Sequence, residues 1–128
     1  MVNGLFEGNS ISNYTQLLYL SAKNLPGTKF TDIIIRNNTF FLTCYPKPGC
    51  GASDGSDAPG IFVSNNKNDG TIDRITIENN TCGDLSMDPN KGGDCIRLVG
   101  PITNVVLRNN DLGPAKIEIS GSVDWTQE

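Results

Sequence analysis

Few side chains in this sequence could do chemistry, and their types narrow the field at once. The 128-residue chain has no histidine, which removes Ser-His-Asp and Cys-His nucleophilic catalysis, histidine-ligated zinc or haem, and histidine-based pH switching. Four cysteines remain, Cys44, Cys50, Cys82 and Cys95. Neither of their close spacings is the C-x₂-C of a structural zinc site. Four cysteines allow three connectivities. Local pairing, Cys44 with Cys50 and Cys82 with Cys95, would close a loop at its base each time, and four reduced thiols are the alternative. Pro46, Pro48 and Gly49 supply the turn for the first pair. Disulfides would place the protein in an oxidising compartment. Asp54, Asp57, Asp69, Asp84, Asp88 and Asp94 lie in stretches that read as loops. Residues 65–70, Asn-Asn-Lys-Asn-Asp-Gly, have the faint outline of a calcium loop. Lys67 falls where the third-position ligand belongs, however, and Thr76 where the twelfth-position glutamate belongs. The loop Asp and Asn therefore read as turn formers and solvated caps, with no metal and no cofactor expected.

The elements that must position these groups belong to a chain of one domain's length. Ten Lys and Arg against fourteen Asp and Glu leave a formal charge of −4. No basic cluster interrupts it, which argues against a nucleic-acid surface. Hydrophobic residues make up 37%, and no apolar run approaches the ~18 residues of a membrane-spanning helix. The opening Met1-Val2-Asn3-Gly4-Leu5-Phe6-Glu7-Gly8 has neither the basic nor the apolar region of a secretory signal, so no signal peptide is expected.

Asparagine is the outlier, at fifteen residues, and the asparagines are not scattered. Three phrases share one pattern: Ile33-x-Ile35-Arg36-Asn37-Asn38, Ile75-x-Ile77-Glu78-Asn79-Asn80 and Val105-x-Leu107-Arg108-Asn109-Asn110. A looser copy follows Ile61-Phe62-Val63 as Asn65-Asn66. Between these lie Leu18-Tyr19-Leu20, Ile61-Phe62-Val63, Ile96-Arg97-Leu98 and Ile117-Glu118-Ile119, with apolar residues two apart and glycine close by in several. Period-two spacing marks strands with one buried face. Unequal repeat offsets and an absence of helical periodicity exclude helical repeats. An all-β, short parallel β-helix of about three to four coils fits, with an antiparallel sandwich as the alternative. Ile33, Ile75 and Val105 would stack in the core, as would Ile35, Ile77 and Leu107. The corner pairs Asn37-Asn38, Asn79-Asn80 and Asn109-Asn110 would hydrogen-bond from coil to coil, since Asn tolerates left-handed backbone.

These phrases resemble the coils of the right-handed parallel β-helix, or pectin-lyase-like, superfamily, which includes pectate lyases, polygalacturonases and phage tail spikes. The resemblance covers roughly residues 15–121 and speaks to fold more than activity. It divides the single domain into an N-terminal arm or cap (1–14), coils (15–121) and a C-terminal tail (122–128). Two long loops, residues 41–59 and 83–93, should leave on the same side, one coil apart. Gly92-Gly93-Asp94-Cys95 is similar to the Gly-Asp-Asp-Cys motif of polygalacturonases, whose paired carboxylates share acid and base work. Gly93 replaces the first Asp, and the family's histidine has no counterpart. Lyase chemistry in the same superfamily uses calcium-binding acids and an arginine base. Arg97 and Arg108 are the arginines near that face, but Arg108 fills the outward slot of Arg36 and Glu78. No catalytic residues are expected.

Tyr45, Phe40 and Phe41 could stack on sugar rings if the loops hold a glycan; an exposed aromatic row would favour that reading. Asn13, Asn37 and Asn79 open formal glycosylation sequons, the last two expected to be unused because their side chains should enter the stack. Leu5, Phe6 and Ile11 would cap one end of the solenoid, and Trp125, the sole Trp, would plug the other or meet a subunit. A stub this short should gain stability from neighbours. The expectation is a non-enzymatic virion protein, a bacteriophage capsid decoration or head/tail accessory subunit. It would act as a homotrimer beside major capsid or tail proteins, with a cell-surface glycan as a further partner and no nucleic acid or membrane. A carbohydrate-binding or carbohydrate-active fragment and an extracellular filament subunit are the alternatives.

Overall fold

A computed structural model describes residues 2–12, 18–22, 26–41, 59–83 and 93–128. Their strands, in chain order, are β1 (Leu5–Glu7), β2 (Ser10–Ser12), β3 (Leu18–Ser21), β4 (Lys29–Arg36), β5 (Thr39–Phe41), β6 (Ile61–Ser64), β7 (Thr71–Glu78), β8 (Thr81–Cys82), β9 (Asp94–Val99), β10 (Ile102–Arg108), β11 (Lys116–Ser120) and β12 (Val123–Gln127). They form three sheets, β1-β4-β7-β10-β12, β2-β5-β8 and β3-β6-β9-β11, and every pairing is parallel. Each coil visits the first, second and third sheet in turn, and about four coils stack into a parallel β-helix. In the fourth coil an isolated bridge from Asp111 to Thr81 stands in for the second-sheet strand.

The apolar residues that alternate along the sequence form columns inside. Ile33, Ile75, Val105 and Trp125 are register partners, as are Phe6, Ile35, Ile77 and Leu107. The third sheet adds Leu18, Ile61, Ile96 and Ile117, then Leu20, Val63, Leu98 and Ile119. Ile11, Phe40 and Cys82 line the second sheet. The middle members of these columns are fully buried, each contributing roughly 1.5–3 kcal/mol by leaving water. Trp125 is the last rung of its column and keeps 39% of its surface exposed. Phe6 and Ile11 pack on the core at the opposite end. Leu5, expected to join them, instead pairs with outward-facing Ile34 and is exposed.

The solenoid extends beyond residues 15–121. β1 and β2 arise from the segment expected as an arm, because Leu5-Phe6-Glu7-Gly8-Asn9 matches Ile34-Ile35-Arg36-Asn37-Asn38 place for place. β12 arises from the expected tail. Within the first sheet a further feature breaks the alternation. Asn3, Asp32, Arg74 and Asn104 all have left-handed backbone, with φ of 61°, 57°, 55° and 53°. This bend sets Ile72 and Ile75, and likewise Ile102 and Val105, three residues apart while keeping all four buried.

Candidate functional site

Unequal loops on a regular coil concentrate at one junction. Between the second and third sheets the chain leaves after Phe41 and Gly83 and returns at Pro59 and Gly93. The Gly83 amide donates to the Phe40 carbonyl at 2.8 Å, and the Gly60 amide to the Asp94 carbonyl at 3.0 Å. Both ends of one long loop therefore sit beside the ends of the other, one coil apart, as expected. The loop interiors, with Cys44, Cys50, Tyr45, Asp54, Asp57, Asp84 and Asp88, lie outside the described residues.

Cys82 and Cys95 form a disulfide with Cα atoms 5.7 Å apart. It closes the loop from β8 to β9 at its base, with both residues buried in the core. The local pairing expected for these two cysteines is thus found.

Asp94 begins β9 after Gly93, whose φ is +75°. Its side chain is 1% exposed, and Oδ2 accepts from Arg97 Nε at 2.6 Å. Lys116 Nζ lies 3.9 Å from the other oxygen, Oδ1, which accepts no hydrogen bond. A carboxylate so enclosed and paired to a guanidinium anchors Arg97.

From that anchor a column of side chains runs along the outer face of the third sheet. Tyr19, Phe62, Arg97 and Glu118 are register partners on β3, β6, β9 and β11. The Tyr19 and Phe62 rings stack with centroids 4.8 Å apart and planes 21° apart. Arg97 Cζ lies 5.6 Å from the Phe62 centroid, a cation–π arrangement. Glu118 accepts from Lys116 at 3.0 Å, a hydrogen bond that holds its carboxyl below the usual carboxylate range. The sequence reading missed this column, although its signal was present. Each member is the middle residue of an apolar-x-apolar phrase, and the middle residue must face outward.

The rings decide what the face can do. A sugar stacks on a flat aromatic face, yet Phe62 has Tyr19 on one side and Arg97 on the other. The column shows ring edges to solvent, except that Tyr19, on the edge strand of its sheet, turns one face away and is 44% exposed. Of the aromatics expected to hold sugar, Phe40 is fully buried because it points into the core, and Phe41 is half-buried.

Two further columns run along the first sheet. Glu7, Arg36, Glu78, Arg108 and Glu128 alternate in sign from coil to coil. Arg36 Nε lies 2.8 Å from Glu7, Arg108 Nη1 2.8 Å from Glu78, and Arg108 Nε 2.9 Å from Glu128. Arg108 is thereby the outward structural residue that its slot implied. On the bend, Arg74 reaches Asp32 through Nε at 2.7 Å and Nη2 at 2.9 Å. That hydrogen bond lowers the Asp32 pKa. Asp73 accepts from Thr103 Oγ1 at 2.6 Å and Asn104 Nδ2 at 2.8 Å, which lowers its pKa too.

The asparagine corner departs from expectation in one respect: the two members of each pair have different roles. Asn37, Asn79 and Asn109 take the left-handed turn, with φ of 55°, 53° and 51°, and are exposed. Asn38, Asn80 and Asn110 turn inward and carry the ladder. Asn38 Nδ2 donates to Asn80 Oδ1, and Asn80 Nδ2 to Asn110 Oδ1, each at 3.0 Å. Their amides also donate to the Phe6, Ile35 and Ile77 carbonyls of the preceding coil. Asn9 is a fourth rung, donating to Asn38 Oδ1 at 3.0 Å. Gly8, with φ +70°, takes the left-handed place there.

Asn65-Asn66 is not a copy of this corner. It follows the third sheet, and Asn65 Nδ2 ties two coils by donating to the Gly70 and Pro101 carbonyls, both at 3.0 Å. A cleft of about 180 Å³ opens beside it, lined by uncharged groups, smaller than the ~300 Å³ at which ligand pockets begin. Among the described residues no group of three or more His, Cys, Asp or Glu is arranged to hold a metal ion, and no helix is long and apolar enough to cross a membrane. No protein-family model, curated protein or solved structure matches this chain.

Proposed function

We propose that the chain is a non-enzymatic structural β-helix of an extracellular, virion-type particle, a capsid decoration or head/tail accessory subunit acting as a homotrimer. The observation that carries this reading is that charged outward groups of the first sheet, and a column of outward groups on the third, pair with one another from coil to coil. The alternating Glu/Arg column, the Arg74 cluster and the Tyr19–Phe62–Arg97–Glu118 column hold coil to coil. They stiffen a spacer. Asp94, the one carboxylate of the polygalacturonase-like pair that this chain keeps, is enclosed and paired with Arg97. The likeness of the coils to the pectin-lyase-like superfamily, phage tail spikes included, agrees with such a role. For association the first sheet offers an apolar patch of Val2, Leu5 and Ile34, 57%, 54% and 36% exposed.

Light scattering on a sizing column without reductant tests it. A particle of three times 13.8 kDa is expected, and a monomer that persists at high concentration would sink the trimer. A second reading, glycan binding, is favoured by the open face of Tyr19 beside the paired loop ends. It predicts a hit on a glycan array that disappears in Tyr19→Ala; an array without hits, or hits that survive this substitution, would dismiss it.

A further inference from the structure

Inward-pointing asparagines would be closed to modification, and the corner places Asn79 the other way. Asn79-Asn80-Thr81 is an Asn-x-Thr sequon in which Asn80 fills the ladder while Asn79 and Thr81 are both exposed. The Asn79 backbone is fixed, its amide donating to the Arg108 carbonyl at 3.0 Å. With a left-handed φ of 53° the residue sits exposed at the corner between two sheets, outside both strands. The two equivalent corners differ. Asn37 also opens a sequon, but its Nδ2 donates to Glu7 Oε1 at 3.2 Å. Asn109 is followed by Asn110 and Asp111, so it lacks the hydroxyl. The corners of neighbouring coils are also only one strand spacing apart, ~4.8 Å, which leaves room for one branched sugar.

We propose that Asn79 is an acceptor site for an N-linked oligosaccharide. In the transfer, Asn79 Nδ2 forms a bond to the anomeric carbon of a lipid-diphosphate-linked oligosaccharide. The bond from that carbon to the diphosphate oxygen breaks, the lipid diphosphate leaves with the electron pair, and one amide proton passes to the transferase. The Cys82–Cys95 disulfide begins one residue beyond the sequon threonine, so the same segment already calls for the oxidising compartment in which such donors are used. The site does not depend on the particle role proposed above.

The test is secretion of the full chain from yeast, followed by intact mass and peptide mapping with and without amidase deglycosylation. The expected result is a sugar on Asn79, with Asp in its place after the amidase, and less or none on Asn37. Thr81→Val should abolish it, as should Asn79→Gly, which installs the residue that serves the same corner at Gly8. Asp111→Thr should create a new acceptor at Asn109. A bare Asn79 in secreted chain whose map contains the Cys82–Cys95 peptide would overturn the proposal, as would sugar confined to other sequons.

Discussion

The same dipeptide, Asn-Asn, stands at two kinds of corner in this molecule and does opposite things. Between the first and second sheets the leading residue is exposed and left-handed, and the second is the inward rung, buried in the middle coils. After the third sheet, Asn65 leads and is 2% exposed, while Asn66 is outside. The first corner repeats in four coils with one geometry. The other is filled by Ala22, Asn65, Gly100 and Gly121, the residues that follow the register partners Ser21, Ser64, Val99 and Ser120. There each coil solves its own crowding; a Cβ on Gly100 would sit 1.9 Å from the Ser122 carbonyl oxygen. A ladder needs the same group at the same height in every coil. A one-off tie needs only two carbonyls within reach.

Five substitutions and a titration would break or sharpen this contrast. Asn80→Ala removes the central rung: the Asn38 backbone N–H loses its acceptor, the Asn38 side-chain amide keeps only the Phe6 carbonyl, the Ile35 carbonyl loses the Asn80 amide, and Asn110 Oδ1 keeps only the backbone N–H of residue 80. It should cost about 3 kcal/mol in urea unfolding, and a loss below that of Asn65→Ala would reverse the ranking. Asn65→Ala leaves the Gly70 and Pro101 carbonyls without their donor but also deletes the unpaired Asn65 Oδ1. Its expected cost is ~1 kcal/mol by the same assay. Asn79→Ala should also cost ~1 kcal/mol, though through the left-handed backbone alone. Asn79→Gly should then be neutral to within ~0.5 kcal/mol; equal losses for Ala and Gly would mean that the side chain itself bonds.

The ladder is built of neutral amides, whereas the outer columns are ionic, so acid separates them. Asp32, Asp73 and Glu118 have pKa values lowered by their hydrogen bonds. Carboxylates lowered on folding add stability that is complete above the unfolded value and fades as pH falls through the folded one. The urea midpoint should hold from pH 7 to 5 and drop below about pH 4. Asp73→Asn should flatten the drop, whereas the penalty of Asn80→Ala should be the same at both ends; a ladder penalty that vanishes in acid would refute the separation.

The inward columns were legible because period two has one meaning in a strand, and the repeated phrase fixed their register. The pair Asn37-Asn38 and its copies showed where a corner falls but not which member turns inward, since Asn suits either place. The distinguishing clue was Gly8-Asn9, where only the second residue has a side chain to offer, and a search for Asn-Asn passes over it. The bend in the first sheet left no trace, because Asn3, Asp32, Arg74 and Asn104 share a backbone angle but not a chemistry. The Tyr19–Phe62–Arg97–Glu118 column was written in the phrases yet unread, since outward residues are usually independent of one another and these are not. The site's loops carry no repeat, so periodicity has nothing to say about them.

The alternation of Glu7, Arg36, Glu78, Arg108 and Glu128 constrains how such a solenoid can lengthen. Equivalent residues in successive coils lie 29, 42, 30 and 20 positions apart, so insertions at the loops are absorbed without disturbing the column. Copying one whole coil is different, because it would set Arg beside Arg or Glu beside Glu. Copying two adjacent coils together preserves the sign pattern. The smallest duplication this scaffold accepts without new repulsion is therefore a pair of coils, whatever their loops contain.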